Sequence, residues 1–162
     1  MPNKISRDSE TPAQGQQVIT ACAFIHHNFD GVEKVFRPKR AETKKFLPGL
    51  WELPGGHINF GEDIVAGLRR EIMEELHMRI VVGDPFAVFT YTNEIKGSHS
   101  IEVVYFATFI DPIENIRLNP EDHSEYRWTA EGELSSGPTS DKEIENIKRG
   151  FELLMGQTHN FG

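Results

Sequence analysis

The residues best suited to chemistry lie between Gly56 and Met78. Gly56 is followed by Glu62, then Arg70-Glu71, then Glu74-Glu75. In a helix that starts after Asp63, at about 100° per residue, Glu71, Glu74 and Glu75 span roughly 100° of one side and Arg70 lies next to Glu74. Ile64, Val65, Leu68, Ile72 and Leu76 form an apolar face about 120° wide, and the acids run along its border, where helix meets sheet. Three carboxylates this close repel each other unless something positive sits among them. Magnesium meets that need, because it takes oxygen ligands, keeps waters and binds substrate phosphates. Such an ion neutralises phosphate charge and activates water, and a spare carboxylate takes the proton. Arg70 can pair with a glutamate and fix its rotamer. The Pro54-Gly55-Gly56 turn frees backbone carbonyls for close approach, since glycine adds no side chain. An isolated Glu-Glu pair is most simply a solvated helix face. Its conjunction with a Gly-Gly turn, Glu62 and Arg70 argues for a site.

The surrounding elements must position these groups. VITACAFIH (18–26) is β-rich, Asp30-Gly31 is a turn signal, and EKVFR resumes a strand, which together read as a hairpin. RPKRAETKK reads as a basic loop that Pro38 keeps out of a sheet centre. GLWELPGG reads as a short strand entering a turn, and Asp63 as the N-cap of the acidic helix. RIVVGD, FAVFTYTNE and SIEVVYFATFI are three further strands, the first two parted by Gly83-Asp84-Pro85, and SEYRW is a shorter one. Ile144, Ile147, Phe151 and Leu154 recur at helical spacing over 139–155, with Ser140 or Asp141 as cap. The mixture predicts an α/β (α+β) fold, a mixed sheet between helices. The domains expected are a mobile tail over 1–16, one domain over 17–155 and a C-terminal tail over 156–162.

The segment resembles the signature of the Nudix hydrolases: Gly, five residues, Glu, seven residues, Arg-Glu, an aliphatic, any residue, Glu-Glu, any residue, Gly, an aliphatic. Gly56, Glu62, Arg70-Glu71, Ile72, Glu74-Glu75 and Met78 match, and only the final Gly departs, as His77. The lead-in GLWELPGG is similar to the family's nucleoside triphosphate branch. The resemblance implies an α/β/α sandwich and hydrolysis of a nucleoside diphosphate linked to another group, most simply a triphosphate cleaved to monophosphate plus pyrophosphate. Dinucleoside polyphosphates, nucleotide sugars, ADP-ribose and RNA 5′ ends are the alternatives, and a silent nucleotide-binding module ranks below them because the carboxylates are retained. It implies Mg2+, with Mn2+ as substitute, held by Glu71, Glu74, Glu75 and the Gly56 carbonyl. Glu71 is then the base, Glu75 shares the catalytic set, and Glu62 and Arg70 support the glutamates. The family's later loop acid matches Asp122, with Glu121 and Glu125 as rivals. Many relatives are homodimers, so a second copy is an expected partner. His77 stands where a left-handed residue commonly ends the helix, a conformation histidine reaches at modest cost.

Arg37, Lys39, Arg40, Lys44 and Lys45 form a basic cluster before this segment. Arg37, on a strand, is the best candidate for terminal phosphates, although a solvated loop accounts for most of the five. His57, directly after the glycines, is a candidate for the cleft wall. Phe46, Phe89, Tyr91 and Trp128 are candidates to stack on a base, with core packing as the plain alternative. Cys22, between two alanines, reads as a buried small hydrophobe. With 17 Lys and Arg against 25 Asp and Glu, the net charge is −8, which disfavours non-specific nucleic-acid binding. One cysteine excludes an intrachain disulfide. No run spans a bilayer and no signal peptide stands out, so a cytoplasmic location is expected.

Overall fold

The computed structural model describes residues 13–134, 137 and 139–160, with side chains as far as 156. Its elements are β1 (Gln17–Phe29), β2 (Val32–Arg40), β3 (Gly55–His57), α1 (Ile64–Leu76), β4 (Ile80–Asn93), β5 (Ser98–Phe109), β6 (His123–Ala130) and α2 (Asp141–Asn160). The sheet runs β4-β5-β1-β2-β6, with β3 on β1. It is mixed, since β1 lies parallel to β5 while the other pairs are antiparallel.

β1 organises the molecule because both its faces are buried. Ala21, Ala23 and Ile25 pack with Phe36 against Leu68, Ile72 and Leu76 of α1. Cys22 and Phe24 pack with Val35 against Ile147 and Phe151 of α2. Phe24 meets Phe86, Phe106 and Phe151 edge-on at 5.8, 5.6 and 5.2 Å, a favoured aromatic arrangement. The layers are therefore helix, sheet, helix, as the patterning predicts. β1 also changes partner along its length. Gln17–Ile25 pairs with β5, and His26–Phe29 pairs with β2.

Three sequence expectations are corrected. The basic stretch is strand as far as Arg40 rather than loop from Arg37. Pro38 is tolerated opposite Tyr126 because β2 has already parted from β1 there, and its carbonyl accepts the Glu52 N–H. Gly83-Asp84-Pro85 does not break the chain into two strands. β4 runs through it with register shifts on either side of Pro85, which an edge strand absorbs as bulges. In GLWELPGG the paired strand is Gly55–His57, and Trp51 makes only an isolated bridge to Lys39.

The helix ends follow the predicted chemistry. Asp63 accepts the Ala66 N–H at 3.0 Å, and His77 takes the left-handed conformation (φ 59°, ψ 36°) at the end of α1. Ser140 caps α2 by accepting the Glu143 N–H at 3.2 Å, and α2 continues beyond 155 to Asn160. Of the expected N-terminal tail, residues 1–12 lie outside the described residues. Ala13 and Gly15 donate backbone hydrogen bonds to Lys96 and Gly97, so residues 13–16 are fastened to the β4–β5 turn.

Candidate functional site

A cleft of about 540 Å³ opens between the α1 and α2 sides of the sheet, lined at one end by Gly56, His57, Glu71, Glu75 and Asp122. Its position follows from β3. Gly55 has φ 152° and lies so close to β1 that a Cβ would fall 2.0 Å from the Ala21 carbonyl oxygen, so only glycine lets this segment add to β1. A Cβ on Gly56 would fall 2.5 Å from Glu71 Oε2. The second glycine keeps open the space between the turn and the helix.

Arg70 organises the acids of α1. Its Nε and one terminal nitrogen donate to Glu62 at 2.8 and 2.9 Å. The other terminal nitrogen reaches Glu71 at 3.0 Å and Glu74 at 3.4 Å, and the His57 carbonyl takes a further bond at 2.9 Å. The fork holds Glu62 below its ordinary carboxyl value. Glu71 and Glu75 are buried. Burial, with the charges of Glu74 and Asp122 against Arg70's counteracting pull, raises Glu71 to about 8. Glu75 is raised by burial and then by Glu71, Asp122 and Glu52, although the Gly55 N–H donates to its Oε1 at 3.1 Å.

These residues suit a hard divalent cation. The donors are oxygens, two carboxyls are buried with their charges opposed, and glycine leaves room beside Glu71. Arg70 draws Glu71 and Glu74 to itself, and among the described residues no three acidic, His or Cys side chains converge tightly on one point. The loop before β6 brings in Asp122, which is buried and faces Lys44 Nζ at 3.4 Å. Its rivals Glu121 and Glu125 are exposed and do not line the cleft.

The aromatic and basic candidates divide. Phe46, Phe89 and Tyr91 line the cleft, and the Phe46 and Tyr91 rings lie nearly parallel, at 15° with centroids 6.0 Å apart. Trp128 does not line it. It packs on Phe29, Phe36 and Phe109 in the α1-side core. Arg40, Lys44 and Lys45 reach the cleft, but Arg37 is corrected: it is wholly buried on the α2 side and absent from the lining. In β2, Phe36 points to α1, so its neighbour points to α2, a facing that the short strand EKVFR does not fix by itself. His57 lies on the wall with Nε2 3.2 Å from Lys96 Nζ.

Sequence reasoning missed Glu52, Glu102 and Glu143. Glu52 is held below the ordinary value by Arg40 and His123 against its burial, with His123 Nε2 at 2.7 Å. Glu102 comes from β5 and faces Thr20 in register. Burial raises it to about 7, although Cys22, Thr20 and Tyr91 favour its ionised form. Burial, Glu102 and Glu52 raise Glu143 to about 8. The signal for Glu143 was its place three residues after the capping Ser140. Cys22 is buried as expected and also touches the cleft.

The NUDIX domain model matches residues 18–151. The Nucleoside triphosphatase NudI of Salmonella paratyphi B is 30% identical over 105 residues, covering 60% of this chain and 73% of that protein. Among solved structures, a MutT NUDIX hydrolase from Burkholderia pseudomallei superposes with TM-score 0.67 at 25% identity, over 82% of this chain and 97% of that one. An Ap4A hydrolase from C. elegans superposes with TM-score 0.72 at 17% identity, over 86% and 98%, a likeness of fold alone.

Proposed function

Since the chain belongs to the Nudix family and is a pyrophosphohydrolase of that family, we propose that it hydrolyses a nucleoside triphosphate to monophosphate plus pyrophosphate with magnesium, manganese serving as substitute. The observation that carries this reading is the pairing of two groups along one cleft: buried Glu71 and Glu75 beside Gly56 at one end, and the near-parallel Phe46 and Tyr91 rings on its wall. The spacing of acids suits phosphates with their metal, and the rings suit a planar base.

In this reading Glu71, Glu74, Glu75, the Gly56 carbonyl and Asp122 hold the ion, which when bound polarises the phosphate and lowers the pKa of water. Glu71 takes the water's proton. Arg70 and Glu62 hold Glu71 and Glu74 in place, so that little reorganisation is needed when phosphate arrives. Arg40 at the end of β2 and Lys44 and Lys45 on the loop after it receive phosphate charge, with His57 on the same cleft wall as Gly56. Phe46 covers the base. A location in the cytoplasm accords with such a substrate.

The test is a panel of canonical and oxidised nucleoside triphosphates, dinucleoside polyphosphates, ADP-ribose and nucleotide sugars, with both products identified by mass spectrometry. We expect triphosphate turnover that stops with chelator and returns with magnesium, and a fall in kcat of about 10³-fold in Glu75→Gln. Turnover that survives chelation, or full activity in Glu75→Gln, would overturn the assignment.

A further inference from the structure

The turn between β4 and β5 holds one side chain in a fixed direction. Asn93, itself buried, accepts the backbone N–H groups of Ile95 and Lys96 on its side-chain oxygen at 3.0 and 3.1 Å, and its carbonyl accepts the Gly97 N–H at 2.9 Å. From outside the turn, Ala13 and Gly15 donate to the Lys96 and Gly97 carbonyls at 2.9 and 2.8 Å. A Cβ on Gly97 would fall 2.1 Å from Gln14 Oε1, so the crossing of the two segments needs glycine there. The backbone of Lys96 is fixed at both its N–H and its carbonyl. Its side chain does not run out to solvent, as a lysine's ordinarily does. Lys96 is only 5% exposed, and its Nζ lies 3.2 Å from Nε2 of His57. His57 lines the cleft and Lys96 does not.

We propose that Lys96 is a positioning residue that acts through His57, fixing its ring in the tautomer whose Nδ1–H donates to a phosphate oxygen of the substrate. The inference rests on the nucleotide reading above and deepens it. An ammonium has three donors and no acceptor, so the ring nitrogen that meets it accepts, and the single proton of the neutral ring sits on Nδ1. The backbone of His57 is held as well, by pairing with Thr20 on β1 and by the Arg70 bond to its carbonyl at 2.9 Å. A donor fixed beside Gly56, near buried Glu71 and Glu75, meets phosphate charge without having to reorient. The ammonium behind the ring strengthens that bond, because hydrogen bonds in a chain polarise one another.

Nitrogen-15 histidine spectra of the full chain, taken where the ring is neutral, read the tautomer directly, with His57→Ala assigning the signal. Wild type is expected to hold the proton on Nδ1, and Lys96→Met to return it to Nε2. Calorimetric titration with inorganic pyrophosphate in magnesium reads the consequence. Affinity should fall about tenfold in Lys96→Met, as for a hydrogen bond to a charged group. It should fall by a like factor in His57→Ala and no further in the double variant, since one residue acts through the other. A proton on Nε2 in wild type overturns the inference without any variant. So does a Lys96→Met affinity within about threefold of wild type, losses that add in the double variant, or no pyrophosphate binding by wild type. The expected tautomer and coupled losses, in a chain that turns over no triphosphate, would uphold the inference while removing the hydrolase reading.

Discussion

The two ends of the cleft hold the same residue type in opposite surroundings. Glu71 and Glu143 are both raised to about 8 by burial. At the α1 end the acids face a guanidinium that touches Glu62, Glu71 and Glu74. At the α2 end Glu102 and Glu143 meet thiol, hydroxyl and backbone N–H groups, and the buried Arg37 guanidinium acts on Glu143 by charge alone, with no hydrogen-bond partner among the described residues. A carboxyl hydrogen-bonded to a rigid cation is fixed in place and oriented towards a second cation. A carboxyl whose hydrogen-bond partners are neutral donors is suited to directional hydrogen bonds. The lesson is that burial sets how costly the charge is, and the partner decides what the residue can do with it.

Arg70→Ala breaks the contrast most directly, because it makes the α1 end resemble the other. Glu71 would lose its compensating charge while staying buried, so we expect a loss of about 3 kcal/mol in urea unfolding. A fall of about 10²-fold in kcat should accompany it, as the glutamates lose their orientation. Stability within about 0.5 kcal/mol of wild type would show that the fork is an ornament of the surface.

The α2 end is sharpened by pH. Carboxyls raised above the ordinary 4.5 keep in the folded state a proton that the unfolded chain releases. Their contribution to stability is thus complete below about 4.5 and lost as pH rises through about 7 to 8. Melting temperatures should fall over that window, and the combined Glu102→Gln and Glu143→Gln variant should lessen the decline, Glu71 and Glu75 keeping their share of it. An equally steep decline in the variant would assign the effect to other groups.

The smallest effect belongs outside both ends. His77→Gly relieves a left-handed backbone, worth about 1 kcal/mol, and gives up the contact of His77 Nδ1 with the Arg117 carbonyl at 2.7 Å, worth about the same. Unfolding free energy should move by less than about 0.5 kcal/mol with kcat unaltered, whereas a tenfold change in kcat would place His77 among the functional groups.

The α1 end was legible because its residues are close in sequence and share one helical period. Gly56, Glu62, Arg70 and the three glutamates need only 20 residues and one helix to meet, and Asp63 and His77 mark its ends by local chemistry. The α2 end was not, because its members come from β1, β4, β5 and α2, and a single glutamate on a strand looks like any solvated residue until its neighbours are known. Arg37 failed for a related reason. Whether a side chain on β2 faces the cleft or the core depends on the strand continuing through Pro38, and proline's missing donor argues locally against that. Only the parting of β1 from β2, a tertiary feature, removes the objection.

The parallel pairing of β1 with β5 also bears on how the chain reaches this structure. Ile25 lies opposite Ala107, so the sheet's central seam joins segments far apart in sequence, a costly closure that slows folding relative to local hairpins. During synthesis the apolar run from Ile19 to Ile25 must wait for β5 to emerge, with its backbone donors and acceptors on that side unpaired and open to other chains. A chain stopped short of Phe109 would therefore be expected to aggregate, even with every residue of the α1 acidic segment already made.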